Sequence, residues 1–132
     1  MLKRIAALSI CATMAAPAFA EEVNVYSYRQ PDLIKPMTDA FTAETGIDVR
    51  MWAADPETGL LDMAELDRLL DDKVKLVAVP HCSNIVAALN DIPAISAKAQ
   101  AAGAACVVDG VSHAPHGMPN VAELGCDIYM FS

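Results

Sequence analysis

The chain has 132 residues, which is enough for one domain but not for two. Hydrophobic residues make up 55% of the chain and charged residues 20%, a composition that excludes a disordered protein. The net charge of −8 disfavours binding to nucleic acid or to an anionic membrane surface, because both attract a basic face. We therefore expect one folded domain that binds neither nucleic acid nor, apart from an export signal, a membrane.

The first twenty residues have the pattern of a secretory signal peptide. Lys3 and Arg4 precede an apolar segment over residues 5–16, and Ala18-Phe-Ala20 offers a small-residue cleavage site. The apolar segment is too short to cross a bilayer. The pattern predicts an exported, periplasmic protein.

The cysteines indicate a different compartment. Cys82, Cys106 and Cys126 follow the signal, an odd number whose spacing suggests no disulfide framework. Cysteines within apolar runs are typical of buried residues in a cytosolic protein. The export signal and the cysteine pattern therefore disagree.

Residues 23–52 predict a strand, a helix and a second strand. Residues 23–28 alternate in the manner of a short strand, and residues 33–44 carry apolar side chains at helical spacing. Pro31 lies near the start of that helix, and Gly46 lies just past its end. Residues 47–52 form the next strand, and this order predicts a right-handed parallel crossover.

Three short sequences within residues 22–50 point to a family. They are Val-Asn-Val-Tyr-Ser-Tyr-Arg-Gln-Pro, Leu-Ile-Lys-Pro and Phe-Thr-Ala-Glu-Thr-Gly-Ile. The segment resembles the amino terminus of periplasmic ferric-iron-binding proteins of ABC importers. The resemblance implies that Arg29 helps to hold the anion that accompanies the metal, which suits its planar donors. The paired tyrosine ligands of that family have no counterpart here, and the alternative is that Tyr26, Tyr28 and Arg29 form only a strand and its solvated end.

From residue 51 onward, helices and strands alternate. A turn over residues 55–59 precedes the following elements: an amphipathic helix over 61–72, a buried strand over 75–80, a helix over 92–102 closed by Gly103, a strand over 106–109 and a second buried strand over 126–131. This order predicts an α/β fold of three layers, α/β/α, with a mainly parallel sheet.

Two polar residues stand at predicted strand ends. Asp109 follows one strand, and Ser132 follows the last. Ligands of open α/β sheets bind beyond the carboxyl ends of the strands, so we expect both residues to face one crevice. The alternatives are ordinary ones, since Asp-Gly is typical of a turn and an asparagine such as Asn84 often caps the next segment.

Three histidines lie in the predicted loops. They are His81, His113 and His116. A zinc site needs three or four convergent ligands, and this spacing matches no zinc pattern. We therefore predict no metal site and interpret the histidines as solvated or capping residues.

Four ordered motifs within residues 51–132 point to a second family. They are Asp-Pro-Glu-Thr-Gly-Leu-Leu-Asp, Lys-Leu-Val-Ala-Val-Pro-His-Cys-Ser-Asn, Val-Val-Asp-Gly-Val-Ser-His-Ala-Pro-His and Leu-Gly-Cys-Asp-Ile-Tyr-Met-Phe-Ser. This part resembles the large domain of class V aminotransferases, with the cysteine-desulfurase-like enzymes nearest. The resemblance implies a fragment of a fold-type I domain that binds pyridoxal phosphate, and a homodimer.

The resemblance also implies a role for each matched residue. Asp109 would face the ring nitrogen of pyridoxal phosphate, and Asn84 would hydrogen-bond the ring hydroxyl. Ser132 would contact the phosphate, and either Ser112 or His113 would stand near the ring oxygen.

The residue that would decide activity is a lysine. In the family, the Schiff-base lysine follows within a few residues of the position matched by Ser132, and Lys73, Lys75 and Lys98 match no such position. We therefore expect an enzyme-derived protein that does not turn over alone.

Three hypotheses about the whole chain follow. The first is a truncated desulfurase-like protein, the second is a periplasmic ferric-iron-binding protein, and the third is a fused reading frame. The resemblance changes abruptly near residue 50, which predicts three segments: residues 1–20, 21–50 and 51–132.

Overall fold

The computed structural model describes residues 22–25 and 31–132. Their strands are β1 (Glu22–Val25), β2 (Asp48–Met51), β3 (Val74–Pro80), β4 (Ala105–Asp109) and β5 (Ile128–Met130). Their helices are α1 (Pro31–Thr45), α2 (Met63–Leu69), α3 (Ile92–Ala101) and α4 (Val121–Leu124), with a 3-10 turn at Ala114–His116. None of these helices is long and apolar enough to span a membrane. The predicted signal peptide, Tyr26, Tyr28 and Arg29 lie outside the described residues, so the export and iron-binding hypotheses remain predictions.

The strands form one sheet in the order β2-β1-β3-β4-β5, and every neighbouring pair is parallel. The predicted α/β fold with a parallel sheet is therefore confirmed. β1 pairs with β2 on one side and with β3 on the other. The strands on both sides of residue 50 thus belong to the same sheet.

The core lies where α3 packs on β3 and β4. Alternate residues of these two strands are buried on one face, among them Val77, Val79 and Val108. Ile92 and Ile95 of α3 are fully buried in the same cluster. Both ends of the helix are defined locally: the Asp91 carboxylate accepts the N–H of Ala94 at 3.1 Å, and Gly103 follows with φ of +82°.

Helix α1 forms where its apolar spacing predicts it, but its apolar face is not buried. Leu33 is 62% exposed and Met37 is 68% exposed. The spacing of apolar residues therefore predicts the helix correctly, although it does not show whether a partner element covers that face.

The strand predicted over residues 126–131 forms, but it is shorter than predicted and is not buried. The strand is only three residues long and pairs on one side with β4, at the end of the sheet. Ile128 and Met130 are about half exposed, because an edge strand packs less of its surface than a central one.

Candidate cofactor site

A cleft of about 630 Å³ opens between the loop that follows β3 and the loop that follows β4. Residues of the first loop, including Asn84, Ile85 and Leu89, line one wall. Ser112 and His113 stand in the second loop. Three of the five predicted cofactor residues thus line one cleft at the carboxyl edge of the sheet, where parallel α/β sheets bind ligands.

The first loop is folded around Ser83. This side chain is buried, and its hydroxyl accepts the N–H groups of Ile85 and Val86, both at 3.3 Å. The N–H of Ala87 donates to the Ser83 carbonyl at 3.0 Å, and Ala87 has φ of +54°, a left-handed conformation that alanine rarely adopts. Ser83 therefore closes the turn, and the exposed Asn84 amide makes no hydrogen bond to a described residue.

Asp109 begins the second loop. Its Oδ1 accepts the N–H of Val111 at 2.9 Å, which ties the carboxylate to a residue that lines the cleft. Its Oδ2 accepts no hydrogen bond from a described residue. Asp109 itself is exposed at the carboxyl end of β4 and does not line the cleft.

Ser132 is exposed beyond the end of β5 and does not line the cleft. The crevice expected to contain both Asp109 and Ser132 is therefore lined instead by the two loops after β3 and β4.

A buried histidine stands next to the cleft, and the sequence does not predict its burial. His81 is only 8% exposed, and its Nδ1 lies 2.9 Å from the Tyr129 hydroxyl. Its ring contacts that of His113, with centroids 3.8 Å apart and planes tilted by 36°, and Tyr129 meets it edge to face at 5.8 Å. The expectation that His81 is a solvated or capping residue is therefore wrong.

The surroundings favour the neutral forms of His81 and Tyr129. Burial lowers the pKa of His81, and the neighbouring His113 lowers it further, because two positive charges repel at this distance. Burial also raises the pKa of Tyr129. We infer that a neutral imidazole and a neutral phenol meet beside the cleft near pH 7.

Register explains why sequence reading missed this contact. Val79, Val108 and Tyr129 are paired across β3, β4 and β5 and share one face. Two residues further along β3 and β4 stand His81 and Gly110 on that same face. Gly110 has no side chain, so the Tyr129 ring crosses its position and reaches His81; a Cβ there would lie 2.2 Å from the ring.

The described residues contain no group of three or more histidine, cysteine, aspartate or glutamate side chains able to hold a metal ion. The polar side chains that line this cleft are instead one amide, two hydroxyls, one thiol and two imidazoles: Asn84, Ser83, Ser112, Cys82, His113 and His116. This is a set of hydrogen-bonding groups for an organic ligand.

Comparison with known proteins identifies a family and several relatives of this chain. The family model described as aminotransferase class-V matches residues 36–132. A cysteine desulfurase of Serratia proteamaculans is 38% identical over 89 residues, which cover 67% of this chain and 22% of that relative. One of Yersinia pseudotuberculosis is 39% identical over the same length. The chain thus spans about a fifth of the length of the curated relatives it matches.

Solved structures of cysteine desulfurases also match this chain. A cysteine desulfurase of Escherichia coli matches 86% of this chain and 28% of its own, with a TM-score of 0.71 and 25% identity. The apo cysteine desulfurase of Thermococcus onnurineus has the same TM-score and coverage at 26% identity. The chain belongs to the class V aminotransferase family, as the motifs of residues 51–132 predict.

Proposed function

We propose that this cleft and the strand ends beside it form part of a pyridoxal phosphate site, and that the chain binds this cofactor reversibly. One observation carries the proposal. Asn84, Ser112 and His113 come from two loops almost thirty residues apart, and they line one cleft. The family is one that depends on pyridoxal phosphate, which supports the choice of ligand.

The chemistry of the available groups fits this cofactor. The Asn84 amide is free to hydrogen-bond the ring hydroxyl, and Ser112 or His113 is available to the ring oxygen. Asp109 and Ser132 lie outside the cleft, at the ends of neighbouring strands. There the free Oδ2 of Asp109 would accept a hydrogen bond from a protonated ring nitrogen, and Ser132 would offer its hydroxyl to the phosphate. Apolar side chains such as Leu89 and Val111 supply the contacts that an aromatic ring requires.

Bound pyridoxal phosphate supplies an electron sink for reactions at an amino acid. The chain's own contribution would be to orient the ring and to hold the proton on its nitrogen through Asp109. A carboxylate suits this role because its negative charge stabilises the protonated ring nitrogen.

We further propose that the chain binds the cofactor without a covalent bond. Of the described lysines, none lines the cleft. Lys98 is paired with Asp67, and Lys75 donates to the Asp72 carbonyl at 3.2 Å. Because no described amine lies at the cleft, we expect no desulfuration of cysteine by this polypeptide alone, although its relatives are cysteine desulfurases.

The test is a binding titration with two ligands. Pyridoxal phosphate carries an aldehyde that reacts with surface lysines, whereas pyridoxine 5′-phosphate has the same ring and phosphate without the aldehyde. We expect saturable binding of both, reversed by dialysis. Asp109→Asn should weaken binding roughly 10- to 150-fold, the range expected for loss of a hydrogen bond to a charged group.

The control is Asp39→Asn, which changes an exposed carboxylate on α1 that pairs with Lys35. This variant should bind both ligands as the unchanged protein does. Binding of the aldehyde alone, with equal affinity in both variants, would show reaction at surface lysines and contradict the proposal. Release of sulfide from cysteine at saturating pyridoxal phosphate would contradict the absence of turnover.

A further inference from the structure

Three rings form a continuous row beside the cleft. The Tyr129 hydroxyl is hydrogen-bonded to Nδ1 of His81 at 2.9 Å, and the His81 ring contacts that of His113 at a centroid distance of 3.8 Å with a tilt of 36°. Only His113 of these three lines the cleft. The row therefore connects the cleft wall to β5, the last strand of the sheet, through a buried imidazole.

Backbone hydrogen bonds hold the base of this row. The N–H of His81 donates to the Asp109 carbonyl at 2.8 Å, and the N–H of Gly110 donates to the Met130 carbonyl at 2.7 Å. These bonds continue the parallel ladder one residue beyond each strand. His81 and Tyr129 thus stand on the rigid sheet, whereas His113 stands in a loop.

The hydrogen bond also indicates which nitrogen of His81 carries the proton. A phenol O–H is a stronger donor than its oxygen is an acceptor, and Nδ1 of a neutral imidazole accepts when Nε2 is protonated. Tyr129 donating to Nδ1 leaves the proton on Nε2. The remaining titratable groups near this pair are His113, against His81, and Asp109 and Cys126, near Tyr129.

We propose that Tyr129 and His81 are positioning residues: Tyr129 fixes the orientation of the His81 ring, and His81 fixes that of His113 at the cleft wall. The part of this inference that concerns the cofactor rests on the proposed function. A loop histidine with a free side chain samples several rotamers, and ordering it on binding costs free energy. Contact with the His81 ring restricts the rotamers of His113 and so lowers that cost before a ligand arrives.

The test uses the full chain with histidines labelled with nitrogen-15, first without ligand. Long-range proton–nitrogen NMR spectra distinguish the two neutral tautomers of each histidine. We expect His81 as the Nε2–H tautomer in the unchanged protein, and a mixture of tautomers with altered His113 signals in Tyr129→Phe. The control, Thr38→Val, removes a hydroxyl that donates to the Lys35 carbonyl on α1 and should leave both histidines unchanged.

A second variant, His81→Gln, removes the ring that contacts His113 and should alter the His113 signals even if Tyr129→Phe folds poorly. His113 signals that are the same in the unchanged protein and in either folded variant would overturn the inference. The affinity for pyridoxine 5′-phosphate should fall about two- to tenfold in both variants, the range expected for loss of one neutral hydrogen bond.

These outcomes separate the two proposals. If the unchanged protein does not bind pyridoxine 5′-phosphate, the proposed function fails, while the spectra still test the row of rings. If the ligand binds equally to the unchanged protein and to both variants, the positioning role is overturned and the proposed function stands.

Discussion

Gly110→Ala tests the crossing of Tyr129 over the end of β4. An added Cβ would lie 2.2 Å from Cζ of Tyr129 and 2.3 Å from its Cε1 and hydroxyl oxygen, so the ring must move. Overpacking by one methyl group costs about 1–3 kcal/mol. Loss of the hydrogen bond from Tyr129 to His81 adds about 1 kcal/mol. We therefore expect the free energy of unfolding to fall by about 2–4 kcal/mol.

The assay is thermal and urea unfolding followed by circular dichroism. For a chain of this length, 1 kcal/mol corresponds to about 4 °C, so Tm should fall by roughly 8–16 °C. Gly46→Ala is the control, because Gly46 has φ of +73° and nothing within 4 Å of an added Cβ. It should lose only about 1 kcal/mol, from backbone strain alone.

A double variant tests whether the Tyr129 ring causes the loss of stability in Gly110→Ala. In a Tyr129→Leu background the phenol ring is absent, so Gly110→Ala should cost less than it does in the unchanged protein. The reasoning is refuted if Gly110→Ala destabilises no more than Gly46→Ala, or if its cost is the same in both backgrounds.

Three further predictions concern stability. Ala87→Gly should raise the free energy of unfolding by about 0.5 kcal/mol in urea titrations, because glycine adopts the left-handed backbone of this residue without strain. Ala97→Gly, at an exposed position of α3, should instead lower the free energy of unfolding by about 1 kcal/mol. A change of the same sign in the two variants would contradict the argument about the backbone of Ala87. The pKa of His81 is lowered below 6.5, so as pH falls from 6.5 through that pKa the unfolded chain binds a proton first and stability decreases. Urea titrations of His81→Phe across this range should show a smaller decrease, and an unchanged pH dependence would contradict a buried neutral His81. Leu66→Ala, in the core, should cost about 2–5 kcal/mol by thermal unfolding, whereas Leu60→Ala, at a half-exposed position, should cost far less.

The parts of the fold that sequence predicts well are those whose signals are local. The strand ending at Pro80 and helix α3 match their predicted positions closely, because continuous apolar runs and defined helix ends specify them. α2 is shorter than predicted, since Asp62 caps its start and Leu70 is already extended. Burial of α1 and β5 depends on neighbouring elements in space, which a local pattern does not contain.

In the candidate site, too, some features are predicted from the sequence and others are not. Motif resemblance and the position at strand ends select Asn84, Ser112 and His113, which line one cleft. Sequence does not reveal the contact between His81 and Tyr129, because it joins residues 48 positions apart. It also depends on the absent side chain of Gly110, and Asp-Gly by itself indicates only a turn.

The most direct test of the central claim is to map pyridoxine 5′-phosphate on the chain by NMR. Backbone amide signals are followed during titration, and the surface around Asp67 and Lys98, which shares no residue with the cleft lining, serves as an internal control. We predict saturable shifts at Asn84, Ser112 and His113, and none around Asp67 and Lys98. Shifts around Asp67 and Lys98 without shifts at the cleft, or no saturable shifts in the described residues, would contradict a cofactor site at this edge of the sheet.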